Sequence, residues 1–331
     1  MNEAHPGNEP APERFDAFME RALYDPKTGY YQRRIRGIGR SGDFTTIPAR
    51  STSLARAIAT WAASAMRETG IHHLIEMGPG SGDLSAEVLR HLPVLRRIRT
   101  KLHLVETSPR LTELQKSKLG NRARWHTHPA SALQACGGRA ILFSNELVDA
   151  FPVRRFRKSA GTWIETGVAP RPDGSHEEQD LAETRLPPSS LFSVDFPENQ
   201  RIEVHDSYRR WLDSWMPEWR AGRMLTIDYG DRAETVYHRR PHGTLRAYLL
   251  HQRLEGAEVL KHPGRQDLTA DVNFSDLIEW TSPHLETRRL MSLAEFLGKD
   301  APAECLDPHG AGGAFRVLEQ WRRGPRETNR A

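Results

Sequence analysis

The chain has 331 residues, 37% apolar, 8% aromatic and 27% charged, and its 47 basic and 43 acidic side chains leave a formal charge of +4. These values exclude a disordered or collagen-like chain and supply enough apolar material for one large core or two small ones. The basic excess is too slight for a nucleic-acid partner, and no run approaches the ~18 consecutive apolar residues of a membrane span.

Met1 to Glu13 is polar, contains Pro6, Pro10 and Pro12 and lacks arginine, so it reads as neither a signal peptide nor an Arg-rich transit peptide. Residues 1–14 are expected to form a disordered tail on a cytoplasmic protein. Phe15, Phe18, Met19, Ala22 and Leu23 begin a short helical pattern, which runs into the turn-rich Tyr24-Asp25-Pro26-Lys27-Thr28-Gly29-Tyr30-Tyr31 and a glycine-rich loop from Gly37 to Thr46. In residues 51–69, Leu54, Ala55, Ile58, Trp61, Ala62 and Ala65 recur at helical spacing. Residues 15–70 thus read as an N-terminal helical extension and lid.

From residue 71 the pattern becomes α/β alternation. His73 to Met77 predicts a buried strand, followed by a glycine turn and a helix from about Asp83 to His91. Lys101–Glu106 predicts a second strand, with a helix from about Pro109 to Leu119, and Arg139–Ser144 a third. A helix around Arg201 to Trp215 precedes a fourth strand, Arg223–Asp228, and Leu285–Met291 and Phe315–Gln320 read as two more. Such alternation predicts a parallel sheet with helices on both faces. Residues of about 152–200 and 231–275 exceed a minimal sheet. They read as insertions over its C-terminal edge, within one domain of 71–325.

Only two cysteines occur, Cys136 and Cys305, without metal-ligand spacing, and none of the 15 histidines lies in an HExxH-like array. No metal is expected, and His72-His73 reads as structural. The basic clusters Arg96–Lys101 and Arg154–Lys158 read as solvated faces.

The most informative stretch is Glu76-Met77-Gly78-Pro79-Gly80-Ser81-Gly82-Asp83-Leu84. Three glycines at alternate positions between a strand and a helix allow a tight turn and close approach of backbone to a ligand. A nicotinamide fingerprint would place its third glycine where Asp83 stands, so the spacing suits S-adenosylmethionine (SAM) better. Glu106, 24 residues beyond Gly82 at the end of the next strand, is placed to accept both ribose hydroxyls, as either cofactor would require.

With further segments, the chain resembles the MidA family of SAM-dependent methyltransferases, the group that includes the mitochondrial complex I assembly-factor arginine methyltransferase. The matching segments are Leu23-Tyr24-Asp25-Pro26, Gly42-Asp43-Phe44-Thr45-Thr46, Val105-Glu106-Thr107-Ser108-Pro109 with Gln115, Asn145 to Val153, Asp228-Tyr229-Gly230, Gly243-Thr244-Leu245 and Asp267-Leu268-Thr269. The resemblance implies a class I, Rossmann-like methyltransferase fold with an N-terminal helical extension. It also implies that the Asp43–Thr46 loop closes over the cofactor, and that a respiratory complex I subunit or similar protein is methylated on arginine. The chain departs from the family pattern at Ile47-Pro48-Ala49 and at Asp271, where the family has histidine. Those departures motivate an alternative, a noncatalytic SAM-binding assembly factor.

Three candidates for the acceptor site follow the third predicted strand. If that segment turns helical, Glu146 and Asp149 share a face and could grip a guanidinium in a fork, with Asn145 orienting it. The same residues could instead cap a helix N-terminus. Asp228 reads equally as a further acceptor-binding carboxylate or as a turn former. Gly78, Gly80, Gly82 and Glu106 are the cofactor candidates, with Asp43 and Thr45 as lid contacts. Tyr24, Tyr30 and Tyr31 could wall the site or fill the core.

Overall fold

A computed structural model describes residues 11–34, 52–250, 252–299, 302–307 and 310–323. In chain order its strands are β1 (Glu13–Arg14), β2 (His73–Met77), β3 (Lys101–Val105), β4 (Ala123–His126), β5 (Ile141–Asn145), β6 (Arg154–Ser159), β7 (Thr162–Pro170) and β8 (His176–Asp180). They continue as β9 (Arg201–Val204), β10 (Arg223–Asp231), β11 (Arg246–Leu249), β12 (Gln252–Leu254), β13 (Asp267–Thr269), β14 (Val272–Asn273), β15 (Leu285–Ser292) and β16 (Phe315–Arg322).

The main sheet runs β4-β3-β2-β5-β10-β16-β15, which is 3-2-1-4-5-7-6 when these strands are numbered by appearance. The first five are parallel neighbours, and β16 lies antiparallel between β10 and β15. This is the class I methyltransferase architecture. The sheet is mixed rather than purely parallel as expected, because β16 pairs antiparallel with both β10 and β15. The order reverses between β2 and β5, and a doubly wound sheet opens its ligand crevice at such a point.

Each sheet face carries its own core. Helices Thr52–Thr69 and Asp83–His91 bury Leu54, Ile58, Ala62, Met66 and Val88 on one side. Helices Pro129–Ala135, Asp206–Trp215 and Phe274–Thr281 bury Leu133, Tyr208, Trp215 and Phe274 on the other. β2 is buried along four of its five residues, as a central strand covered on both faces must be. No helix among the described residues is long and apolar enough to cross a membrane.

Three local readings need correction. β4, Ala-Arg-Trp-His, is absent from the sequence reading because it is a short, partly exposed edge strand with no apolar run. The span expected to be helical from Arg201 begins as β9, and the helix starts only at Asp206. The tail expected to run to residue 14 ends in a strand, since Glu13 and Arg14 pair with Val168 and Gly167.

The 152–200 insertion builds an antiparallel sheet, β1-β7-β6-β9 with β8 on β7, against which helix Phe15–Tyr24 packs. Here the Arg154–Lys158 cluster is not the solvated face expected of it. Arg154 and Arg155 are buried. Arg154 forks onto Glu165 through Nε at 2.7 Å and Nη2 at 2.5 Å, and Arg155 Nε meets Glu203 at 3.0 Å. A guanidinium survives burial when a carboxylate from a neighbouring strand faces it, and a linear reading cannot see that neighbour. The 231–275 insertion forms the small sheet β12-β11-β13.

Candidate active site

The glycine turn follows β2 directly. Gly78, Gly80 and Gly82 all have positive φ, +69°, +53° and +79°, the left-handed region that side chains disfavour. Gly78 also lacks room for a Cβ, which would stand 2.7 Å from Leu147 Cδ1 in the turn after β5. The glycine at 78 therefore brings the cofactor turn and the acceptor turn together. Gly82 caps helix Asp83–His91, with its N–H donating to Pro79 O at 2.8 Å.

Glu106 sits just past β3, across from that turn. Its Oε1 accepts the Ser108 N–H at 2.8 Å and its Oε2 accepts Gln115 Nε2 at 3.2 Å. Burial pushes its carboxyl up to about 7 despite these donors. A buried carboxylate with lone pairs to spare fits a ribose, whose two hydroxyls donate and favour the ionised form. Gln115, fully buried, also donates to Gly80 O at 2.7 Å and accepts Trp125 Nε1 at 3.0 Å. It thus ties the glycine turn to the acid opposite. Gln115 was legible only as a matching residue, because its role depends on the turn coming within reach. Beneath the turn, Glu76 is buried and accepts the Ser85 hydroxyl, and burial raises it to about 7.

The segment after β5 does not turn helical. Glu146 takes a left-handed φ of +51°. The chain then folds around Asp228 Oδ2, which accepts the N–H groups of Leu147 at 3.1 Å, Val148 at 2.8 Å and Asp149 at 3.4 Å. Glu146 and Asp149 therefore share a site through a carboxylate-centred turn, and the helical i, i+3 geometry is not what joins them. Asp228, fully buried, lies within β10, which continues to Asp231, so it forms no turn of its own; its carboxylate organises the turn after β5, which neither of its two readings foresaw.

Around this turn the structure gathers acids from two further places in the chain, Asp228 and Asp267. Asp149 is buried, and its carboxyl is held well above the usual range by burial first, then by Asp228, Glu146 and Asp267. No described residue hydrogen-bonds its carboxylate. Asp267 accepts the Tyr31 hydroxyl at 2.7 Å, and Tyr31 stacks on Tyr24 with ring centroids 5.5 Å apart. Tyr24 and Tyr31 thus wall the site, whereas Tyr30 joins the core. Arg246 faces the acids but is already held, with Nη1 2.5 Å from Asp271 Oδ1 and the guanidinium 5.0 Å above the Tyr229 ring. Asn145 donates through Nδ2 to Glu146 at 3.0 Å, and its Oδ1 is buried without a partner among the described residues.

The candidates Gly78, Gly80, Gly82, Glu106, Asn145, Glu146 and Asp149 thus lie at or just past the C-terminal ends of β2, β3 and β5, beside the β2–β5 reversal. Asp43 and Thr45 lie outside the described residues. Sequence reasoning passed over Asp267, Tyr229 and Arg246 as site residues. The only signal for the first two was membership of a matching segment.

A family model described as "Putative S-adenosyl-L-methionine-dependent methyltransferase" matches residues 55–291. The Danio rerio protein named Protein arginine methyltransferase NDUFAF7, mitochondrial, is 30% identical over 291 residues, covering 78% of this chain and 66% of that protein. The Drosophila melanogaster homolog of the same name is 28% identical, covering 78% and 64%. The chain spans just under two thirds of the length of these curated relatives. A Burkholderia thailandensis crystal structure bound to S-adenosyl-homocysteine superposes with a TM-score of 0.80 at 26% identity, covering 94% of this chain and 88% of that one.

Proposed function

Because the chain belongs to this family of S-adenosyl-L-methionine-dependent methyltransferases, we propose that it methylates arginine side chains of a protein, with Glu146 and Asp149 holding the guanidinium. The reading rests above all on the charge of the crevice. Asp149 is a buried carboxylate with no hydrogen-bond partner among the described residues, beside Glu146, Asp228 and Asp267, and the arginine facing them is already paired with Asp271. Such a site attracts a planar cation that can donate to two carboxylates at once.

The cofactor supplies a methyl group on a positively charged sulfur. Gly78, Gly80 and Gly82 seat it, and Glu106 accepts its ribose hydroxyls. Asn145 Oδ1 is an acceptor awaiting a donor from cofactor or substrate. Glu146 and Asp149 fix the plane of the guanidinium so that one nitrogen faces the methyl carbon. Transfer would form the nitrogen–carbon bond as the sulfur–carbon bond breaks to a neutral thioether, and the nitrogen must then lose a proton. A bound guanidinium would favour the ionised form of Asp149, and burial makes that form the stronger base for this proton. Tyr24 and Tyr31 shield that side from water.

The names of the relatives and the resemblance to a complex I assembly-factor group support a respiratory complex I subunit, or a protein like it, as the target. Incubation with methyl-labelled SAM and a cell lysate, followed by mass spectrometry of the labelled protein, tests the reading. Methyl groups on arginine are expected. Label on another residue type would overturn the arginine assignment, and tight SAM binding without any label would favour the noncatalytic assembly-factor alternative.

A further inference from the structure

Away from the crevice, three imidazoles cross the main sheet in a diagonal line. His73 opens β2, His103 lies within β3 and His126 ends β4. His73 Nδ1 is 3.1 Å from His103 Nε2, and His103 Nδ1 is 3.0 Å from His126 Nε2. Cys136, at the end of helix Pro129–Ala135 on the same face, brings its Sγ to 3.5 Å from His103 Nε2. We propose that His73 Nδ1, His103 Nε2 and Cys136 Sγ form a binding site for a thiophilic divalent metal of the zinc class, separate from the methyl-transfer site.

Two of the three distances between the ligand atoms match edges of a coordination tetrahedron, and metal entry would draw the third pair, His73 Nδ1 and Cys136 Sγ, to the same spacing. With zinc–nitrogen bonds of about 2.05 Å and a zinc–sulfur bond of about 2.3 Å, tetrahedral edges are about 3.3 Å for N···N and about 3.6 Å for N···S. The two short edges here are 3.1 and 3.5 Å, and all three ligand atoms lie within 4.8 Å of one another. Two imidazoles and one thiolate suit a borderline-soft ion and leave the fourth position for water, on the side where His73 is half-exposed.

His126 is a positioning residue. With the proton between the two rings on His103 Nδ1, the Nε2 lone pair of His103 is left free for the metal, and the ring is held in place. Lys101 and Arg124 flank the cluster, and burial pushes the Cys136 thiol up to about 11, so a metal entering the site must displace that proton. The sequence carried no metal signature because the ligands are separated by 30 and 33 residues and meet only through strand pairing and helix docking.

The competing account is a metal-free ladder of hydrogen-bonded histidines. Full-length protein is stripped with a chelator and titrated with Co²⁺ as a spectroscopic probe, with Zn²⁺ as competitor. One Co²⁺ per chain is expected, with the visible bands of a tetrahedral centre and a near-ultraviolet thiolate charge-transfer band, both removed by one equivalent of Zn²⁺. Cys136→Ser abolishes the charge-transfer band, Cys305→Ser retains it, and His126→Phe weakens binding roughly tenfold. Should Cys136→Ser fail to fold, alkylation of the wild-type protein decides instead: Zn²⁺ must slow modification of Cys136, with Cys305 as internal reference. Absence of the bands in the wild-type protein, their survival in Cys136→Ser, or unprotected Cys136 overturns the site and leaves the ladder.

Discussion

Asp228 Oδ2 accepts the Val148 N–H at 2.8 Å, joining β10 to the turn after β5 across two adjacent parallel strands. The same oxygen takes the neighbouring N–H groups of Leu147 and Asp149, so one buried carboxylate sets the backbone that presents Glu146 and Asp149. Asp228 therefore acts on the reaction through the turn, although it resembles a third substrate-binding acid.

Asp228→Ala removes the acceptor of the Leu147, Val148, Asp149 and Tyr229 N–H groups. The expected loss is about 2–4 kcal/mol in denaturant unfolding, and Asp228→Asn, which retains an acceptor oxygen, loses less. Methyl transfer falls in both variants. SAM affinity falls less than the transfer rate, because Glu106 lies on a different strand end.

Glu146→Gln and Asp149→Asn keep the shape of the turn but remove the charges proposed to hold a guanidinium. Transfer to arginine is expected to fall roughly 10²-fold or more in each, while calorimetry finds SAM binding close to that of the wild type. Equal loss of SAM affinity would move these residues from the acceptor to the cofactor.

Glu106→Ala is expected to weaken SAM by about 1–3 kcal/mol, the worth of charge-assisted hydrogen bonds to the ribose. Gln115→Leu weakens it less, by freeing the Glu106 carboxylate and Gly80 from each other. In the ligand-free protein burial lifts Glu106 to about 7, and ribose hydroxyls prefer its ionised form. Affinity for SAM should therefore rise as pH increases through about 7. Below that value, binding should release a proton, read as a dependence of the binding enthalpy on the ionisation heat of the buffer.

Glu76 is buried beneath the glycine turn and shifted from 4.5 to about 7, chiefly by burial. Its neutral form is the one the fold accommodates, so its contribution to stability is complete below about 4.5 and is lost as pH rises to about 7. Glu76→Gln should remove that part of the pH slope and stabilise the ligand-free protein above pH 7, by roughly 3 kcal/mol at most. Thermal melts of both proteins across that range measure it. A wild-type melting curve parallel to that of the variant would contradict the assignment.

Much of the site was legible because its parts are local. Alternating glycines after a buried strand have one economical backbone solution, and positive φ at 78, 80 and 82 is that solution. Glu106 was legible for a related reason, since parallel α/β repeats place successive strand ends at the same edge. The acceptor turn was legible only in composition. Glu146 and Asp149 were named for a helical spacing that does not exist, and their proximity comes from Asp228, some 80 residues later.

By itself, then, the sequence determined the strand–turn–helix units, the glycine cradle and the acid opposite it, because hydrophobic period and backbone sterics act over a few residues. Tertiary structure alone decided that β16 enters antiparallel between β10 and β15, and that Arg154 lies buried on Glu165. It also decided that the Asp149 carboxyl has no hydrogen-bond partner among the described residues while three other acids surround it, and that His73, His103 and Cys136 converge beneath a helix. Each of these depends on which distant strands become neighbours. That choice is made by closing one sheet around two cores, and the free energy of a buried charge or a ligand cluster is set by the neighbours so acquired.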